Sequence, residues 1–375
     1  MHSHLPPVSP PAPNTLSPYA NFTLERYNLL VTDISTLNTL HLPVRADNII
    51  GITSEDQLKK ELKNGTFDQP YFILGSGANV FFTKDFPGNI ILIKIPGRKT
   101  VKEDNQSVWL EFGAGENWHE AVSWAVQNNL SGMENLAAIP GTIGAAPVSN
   151  LAAYGQNQED IFESLKTLNL KSGNFEIFHH RDMQFGYRES FFKKNPNYII
   201  TSVTYKLSKK THLNLSYHAT HHASLLPTLQ SMAKEPYTIQ NVYDAVVILR
   251  QLKLPDPKNI GTAGCFFKNP LVKKDLAEKV KTQIPDLQIY PADKLQYTDL
   301  KDTDGYVKLP AGMLLDNLGW RGKRIGHVGT FPTHALTIVT YPGATGPEVY
   351  EFSEKMRADV LNNFEINLEY EVIIV

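Results

Sequence analysis

The stretch from Glu134 to Gln156, ENLAAIPGTIGAAPVSNLAAYGQ, restricts this chain more than any other. It carries three glycines, two prolines, many alanines and almost no charge. Such a segment neither packs as a core helix nor dissolves as a linker, so its working surface is backbone. Gly141 and Gly144 permit φ > 0 and close approach of a ligand, while Pro140 and Pro147 fix the flanking dihedrals. Successive N–H groups turned one way make an anion-binding concavity suited to a pyrophosphate. A PGTIG turn alone is more often plain structure, and companion segments must tip the balance.

The first companion is YFILGSGANVFF, Tyr71 to Phe82. Its glycine pair suggests G-x-G-x-x-G, but Val80 stands where the third glycine belongs. A β-branched, aromatic run follows instead of a helix, so the dinucleotide fingerprint fails. A strand, a tight turn through Gly75, Ser76, Gly77, Ala78 and Asn79, and a second strand are predicted. A further glycine turn precedes a helix over Glu116–Asn128, whose Trp118 and Trp124 read as core. Ser54 is the expected N-cap of a helix ending before Gly65. Strands at SLKTLNL, NFEIFHH and NYIITSVTYKL close an α/β domain near Leu207. TIQNVYDAVVILRQLKL then reads as a helix that Pro255 and Pro257 stop.

With 42% hydrophobic and 20% charged residues and a net charge of −2, the chain has no basic field for nucleic acid and no polybasic membrane patch. No apolar run reaches the ~18 residues that span a bilayer. Small molecules are the expected partners. Cys265 is the lone cysteine, which excludes an internal disulfide and fits a reducing cytoplasm. Six prolines in the first 20 residues predict a disordered tail over 1–24. The four histidines between His212 and His222 have no acid or cysteine among them and read as a solvated loop, not a metal site. In GTAGCFFKNP, Cys265 sits between small residues and two phenylalanines. A lone cysteine is more often a small core residue than a reactive one. In the terminal run INLEYEVIIV, alternation puts Glu369 and Glu371 on one face of a strand, and two acids on so apolar a strand require a reason.

Together these segments resemble the UDP-N-acetylenolpyruvoylglucosamine reductase family. ILGSGANVFF, FGAGENW, ENLAAIPGTIGAAPVSNLAAYG, FGYRESFFK, KLPDPK, AGCFFKNP, PAGMLLDNLG and LEYEV occur in the family's order, from about Asn38 to the end. The resemblance implies an α+β protein: a two-lobed FAD-binding domain of the vanillyl-alcohol-oxidase (PCMH) type over 25–208, with lobes 25–95 and 96–208. A loop over 209–235, a substrate-binding domain over 236–363 and a strand over 364–375 returning to the flavin domain follow. By resemblance, Gly75 to Val80 and Ile139, Pro140, Gly141, Thr142, Ile143 and Gly144 cradle noncovalent FAD, with Asn135 and Tyr154 around flavin or substrate. Arg188 matches the arginine that holds the substrate carboxylate, Glu371 the acid opposite it, and Cys265 a position where serine is commoner. Tyr217, Lys253, Asn269 and Asn317 match substrate contacts. Asn317 stands where glutamine is expected and Phe331 where histidine is usual, and Ala78, Ala145 and Ala153 replace glycines.

The implied chemistry is NADPH-dependent reduction of an enolpyruvyl UDP-sugar to UDP-N-acetylmuramate by a cytoplasmic monomer. Arg188 suits a carboxylate whose charge grows, and Glu371 could donate a further hydrogen bond if protonated. Cys265 suits proton delivery, since a thiol has a pKa of about 8.5. Cationic neighbours would lower that pKa, so sensitivity to mild alkali and to oxidation is expected.

Overall fold

The computed structural model describes residues 32–215, 224–293, 296–297 and 302–375. The proline-rich tail, Tyr217 and three of the four loop histidines lie outside these. The first lobe is a four-stranded sheet in the order β1 (Thr32–Asp33), β2 (Arg45–Ile52), β5 (Phe86–Ile93), β3 (Tyr71–Leu74). β2 and β3 both run parallel to β5. Helix α1 (Glu55–Lys63) connects β2 to β3, and the Ser54 side chain caps it by accepting from Gln57 N at 3.1 Å. The short β4 (Val80–Phe81) follows the glycine turn, as expected for strand, turn, strand.

The second lobe is an antiparallel sheet in the order β9 (Phe175–His179), β8 (Phe162–Asn169), β10 (Tyr198–Ser208), β7 (Ser107–Gly113), β6 (Arg98–Glu103). Helix α2 (Trp118–Gln127) lies against it, with Asn117 Oδ1 accepting from Glu120 N. The two lobes meet on β5, a central strand almost wholly buried. Its side chains alternate between cores: Ile90 and Leu92 join the first lobe's cluster, Ile91 and Ile93 the second's. Both faces are apolar because each is interior.

Helices α3 (Leu225–Met232) and α4 (Ile239–Lys253) follow. By sequence α4 goes with the third domain, but Ile239, Val242, Ala245, Val246 and Leu249 are buried in the second lobe's cluster. The third domain's main sheet has the order β11 (Gly261–Cys265), β13 (His334–Thr340), β12 (Val328–Phe331), Arg324–Ile325. Helices α5 (Ala311–Asn317) and α6 (Gly346–Phe364) pack on it, and its core is continuous with the first lobe's.

The chain's end crosses back. Tyr370 bridges Phe267, Glu371 N donates to Phe266 O at 2.9 Å, and β14 (Ile373–Ile374) pairs parallel with β4. Only that last pair is regular strand. The run expected to be one strand leaves the third domain for the first lobe, so no single neighbour accompanies it.

Candidate active site

Two glycine loops face each other across the lobes. In the loop between β3 and β4, Gly77 has φ +68, and a Cβ there would lie 2.0 Å from Leu37 O. Its carbonyl accepts from Thr39 N at 3.3 Å and Thr39 Oγ1 at 3.2 Å. Among the described residues, the N–H groups of Ser76, Ala78 and Asn79 find no acceptor, so a row of donors is left for a ligand. In the opposite loop Gly141 has φ +148 and faces open space. Ile143 N and Gly144 N donate to Glu116 O and Ala114 O, so these two amides hold the loop rather than a ligand. A Cβ on Gly75 would meet Thr142 Oγ1 at 3.0 Å and Ala145 Cβ at 3.4 Å, which brings the loops into contact. Alanine at 78, 145 and 153 is accommodated: none of the three has positive φ. Uncommitted amides, positive-φ glycines and no intervening bulk fit a dinucleotide such as FAD.

Asn135 does not offer its amide to this space. It is 2% exposed, and its Nδ2 donates to Tyr154 O and Asn214 O, each at 2.9 Å. Tyr154 and Gly155, with φ 48° and 80°, form the two-residue turn of a small hairpin over Ala152–Ala153 and Gln156–Asn157. Burial raises the Tyr154 pKa.

Arg188, Cys265 and Glu371 come together from three distant segments. Gly186 and Glu189 pair across a tight turn whose tip is Tyr187 and Arg188, and Arg188 is left-handed at φ 58°. A non-glycine residue there costs about 1–2 kcal/mol. Asn150 Nδ2 donates to Gly186 O at 3.1 Å and Lys193 Nζ to Arg188 O at 2.9 Å, which holds the turn. Arg188 Nε then donates to Glu371 Oε1 at 2.7 Å. Burial would lower the arginine pKa, but the Glu371 charge outweighs it and the guanidinium is held charged.

Burial first, and then the Glu371 carboxylate, pushes the Cys265 thiol up to about 11, against the opposing fields of Lys253, Arg188 and Arg250. Cys265 is a partly buried residue, and the surrounding protein desolvates its anion. The cations expected to lower this pKa are present and are outweighed, so the expected loss in mild alkali is not supported. Burial lowers the Lys253 pKa, and burial pushes Tyr187 up to about 12.

The second terminal acid has its reason too. Lys268 Nζ bonds Glu189 Oε1 at 2.9 Å and Glu369 Oε2 at 3.3 Å, linking the segments of all three catalytic candidates. Asn269 Oδ1 accepts from Ala311 N at 2.9 Å, and Asn269 N donates to the Tyr187 hydroxyl at 3.3 Å. Asn317 is exposed at the end of α5, beside the Asp316–Arg321 ion pair, and among the described residues it hydrogen-bonds none of the other site candidates.

Sequence reasoning missed Arg250, His334, Tyr187 and Lys268. Arg250 had a signal: it continues the buried stripe Val242, Val246 of α4, where a cation is out of place. Burial, with Lys253 and Arg321 nearby, drops His334 to about 3, so it is neutral.

Glycine loops with free amides beside a buried arginine, acid and thiol define a two-lobed flavoprotein oxidoreductase. Residues 46–177 match the FAD-binding domain family, and residues 256–375 match the C-terminal domain of UDP-N-acetylenolpyruvoylglucosamine reductase. The reductase of that name from Flavobacterium johnsoniae is 37% identical over 95% of this chain and 99% of its own length. That of Paraburkholderia phytofirmans is 39% identical over 90% of this chain and 94% of its own. The solved structure of the Thermus caldophilus enzyme shares the fold, with a TM-score of 0.61 and 22% identity over 92% of this chain and 97% of that one. The chain belongs to the UDP-N-acetylenolpyruvoylglucosamine reductase family. It is an FAD-dependent oxidoreductase, and its place is in peptidoglycan precursor synthesis.

Proposed function

We propose that Arg188, Glu371 and Cys265 carry out the substrate half of the NADPH-dependent reduction of UDP-N-acetylglucosamine enolpyruvate to UDP-N-acetylmuramate. The observation that supports this most is the 2.7 Å Arg188–Glu371 contact with a desolvated, protonated thiol in the same electrostatic cluster. The free amides of Ser76, Ala78 and Asn79, with the Gly141–Thr142 turn, hold the FAD. When bound, the flavin carries a hydride from NADPH to the vinyl carbon of the enolpyruvyl ether.

Arg188 binds the substrate carboxylate. Its Nε is committed to Glu371 and its Nη2 approaches Ala152 O at 3.4 Å, leaving the Nη1 side of the fork for the incoming oxygen atoms. Negative charge that spreads onto this carboxylate during reduction meets a fixed, desolvated cation. Cys265 supplies the proton that the carbon next to the carboxylate needs. Its raised pKa keeps that proton in place at neutral pH. Glu371 orients Arg188 and, by its charge, keeps the thiol from ionising. Lys253, Asn269, Asn317 and Tyr217 contact the rest of the substrate.

Anaerobic titration tests the assignment: NADPH should bleach the yellow protein and the enolpyruvyl sugar should restore the colour. Reoxidation that ignores the sugar would overturn it. The flavin is noncovalent in this reading, since the loops over 75–80 and 139–144 contain no histidine or cysteine that could bond it. Acid precipitation should leave all colour in the supernatant.

A flavin domain over 25–208, a segment over 209–235 and a substrate domain over 236–363 with a returning end are proposed, although helix α3 (Leu225–Met232) lies within the segment expected to be loop and linker. The burial of α4 favours starting the third domain at Pro255. The lone thiol fits a reducing cytoplasm and the absence of a basic field fits small-molecule partners, and the chain is taken to act as a monomer. Among the described residues no helix is long and apolar enough to cross a membrane. Light scattering on the purified protein tests the oligomeric state.

A further inference from the structure

Ala138 lies just ahead of Ile139–Thr142 and is left-handed, at φ 55°. Alanine pays about 1–2 kcal/mol for that conformation, so something must hold it. Side chains from two helices do. Ala138 N donates to His119 Nδ1 at 3.0 Å, and Arg250 Nε donates to Ala138 O at 3.1 Å. Helix α2 adds Trp118 N to Gly141 O at 3.1 Å and Trp118 Nε1 to Leu136 O at 2.9 Å. Of these contacts, only His119 relies on a lone pair that a proton can remove.

A backbone N–H can only donate, so Nδ1 must be bare and the ring proton sits on Nε2. Nε2 faces the Tyr243 hydroxyl at 3.5 Å. That hydroxyl donates to Ser123 Oγ at 3.2 Å, which leaves its own lone pairs for the Nε2–H. The two rings stack, 9° from parallel with centroids 5.8 Å apart, which fixes the imidazole plane. Of this helix the sequence reading singles out Trp118 and Trp124 and not His119.

We propose that His119 is a positioning residue of the flavin loop: through Nδ1 it holds the Ala138 peptide in the turn that aims Ile139–Thr142 at FAD. The groups acting on its titration are Glu120 on its own helix and Arg250 on α4, with Ser123 and Tyr243 as neutral neighbours. Burial lowers the His119 pKa, Glu120 works against this, and Arg250 adds to it. The neutral, accepting form is therefore the one present at neutral pH. Acid protonates Nδ1, turns acceptor into donor, and removes the contact as pH falls through the folded-state pKa. A nearby imidazole buried for packing alone would stabilise the fold without governing flavin affinity.

The test uses the full chain loaded with FAD and reads the FAD dissociation constant by flavin fluorescence at pH 7.5 and pH 5. His119→Leu should weaken FAD by about 10-fold at pH 7.5, equivalent to ~1.4 kcal/mol, and lose most acid dependence. His119→Asn places Oδ1 where Nδ1 stood; it should stay within about threefold of the parent at pH 7.5 and no longer weaken in acid. Ala138→Gly, which adopts φ > 0 without cost, should recover part of the affinity lost in His119→Leu. The inference is overturned if His119→Leu binds FAD like the parent, or if His119→Asn keeps the parent's acid weakening. Because it rests on the flavin-loop assignment, a parent protein that binds no FAD ends that assignment first. If His119→Leu does not fold, the pH profile of His119→Asn decides alone.

Discussion

The flavin cradle and the charged cluster beside it are made of opposite materials. The cradle is backbone: free amides at Ser76, Ala78 and Asn79, a positive-φ glycine at 77 and another at 141. Its side chains are small because anything larger would fill it. The cluster is side chain: Arg188, Glu371, Cys265, Lys253 and Arg250 come from four separate stretches, and the charges of the other four all act on Cys265. A backbone site is specified by the residues that form it and tolerates few substitutions for steric reasons. A charged site is specified by distant segments that must arrive together, and it tolerates few substitutions for electrostatic ones.

If that contrast holds, substitutions in the two regions should fail in different observables. Arg188→Ala should have the largest effect. It removes the cation on which the substrate carboxylate rests and leaves Glu371 buried without its partner. Reoxidation by substrate should slow by roughly 10³-fold or more, in line with losing a preorganised electrostatic partner. Flavin reduction by NADPH and FAD affinity should change little. Loss of flavin from this variant would show that the two regions are not separable.

Gly77→Ala should do the reverse. Its Cβ would meet Leu37 O at 2.0 Å in a backbone region that alanine resists, so the loop or its neighbour must move. A cost of about 3 kcal/mol is expected, of the size seen when strain is forced on a special backbone conformation. FAD retention and melting temperature should both fall, while added FAD restores the normal ratio of the two half-reactions. A variant that keeps FAD but reoxidises slowly would place Gly77 with the chemistry instead.

The same contrast explains what could be read in advance. Turn chemistry is local, so the glycine loops, the absent third glycine at Val80 and the Ser54 cap are all visible in a few consecutive residues. Helix α4 was visible as a helix, but its partner was not: an apolar stripe says that a face is buried, not in which core. The alternation of Glu369 and Glu371 was legible as a puzzle. Its solution needed Lys268 and Arg188, which only the fold brings to them. Without the resemblance, no spacing rule would have joined Cys265 to Arg188. The direction of the cysteine's pKa was misjudged for the same reason. Nearby cations were foreseen, whereas the burial and the acid that outweigh them are properties of the assembled site.

Cys265 sharpens the comparison inside the cluster. Cys265→Ala should leave flavin reduction intact and slow reoxidation by about 10²-fold, the usual loss with a general acid. Cys265→Ser should keep substantial activity. With the thiol raised to about 11, it is protonated below that pH and lost as donor only above it. The parent's reoxidation rate should therefore hold from pH 7 to about pH 9.5. A decline centred near 8.5 in the parent but absent in Cys265→Ser would show that the cations win after all. Lys268→Met comes next. It cuts the link between Glu189 and Glu369 without touching the reacting atoms, and should slow reoxidation by about tenfold, with partial rescue by arginine. Equal slowing of both half-reactions would reduce Lys268 to a general stabiliser.

The smallest effect tests whether a strongly perturbed group must belong to a site. Tyr205 is wholly buried among Phe112, Trp118 and Phe162 in the second lobe, and its hydroxyl has no partner among the described residues. Burial alone raises its pKa, and no charge contributes. In the cluster around Arg188, by contrast, every desolvated group also answers to a charged neighbour. Desolvation with a charge partner marks a candidate for function, whereas desolvation without one marks only a cost. Tyr205→Phe removes a polar atom that no hydrogen bond compensates, so the protein should gain about 1 kcal/mol. Thermal melting should shift upward by a few degrees, with FAD affinity and both half-reactions unchanged. A loss of stability, or any change in reoxidation rate, would mean that the hydroxyl has a partner and that the core beneath the cradle takes part in the chemistry above it.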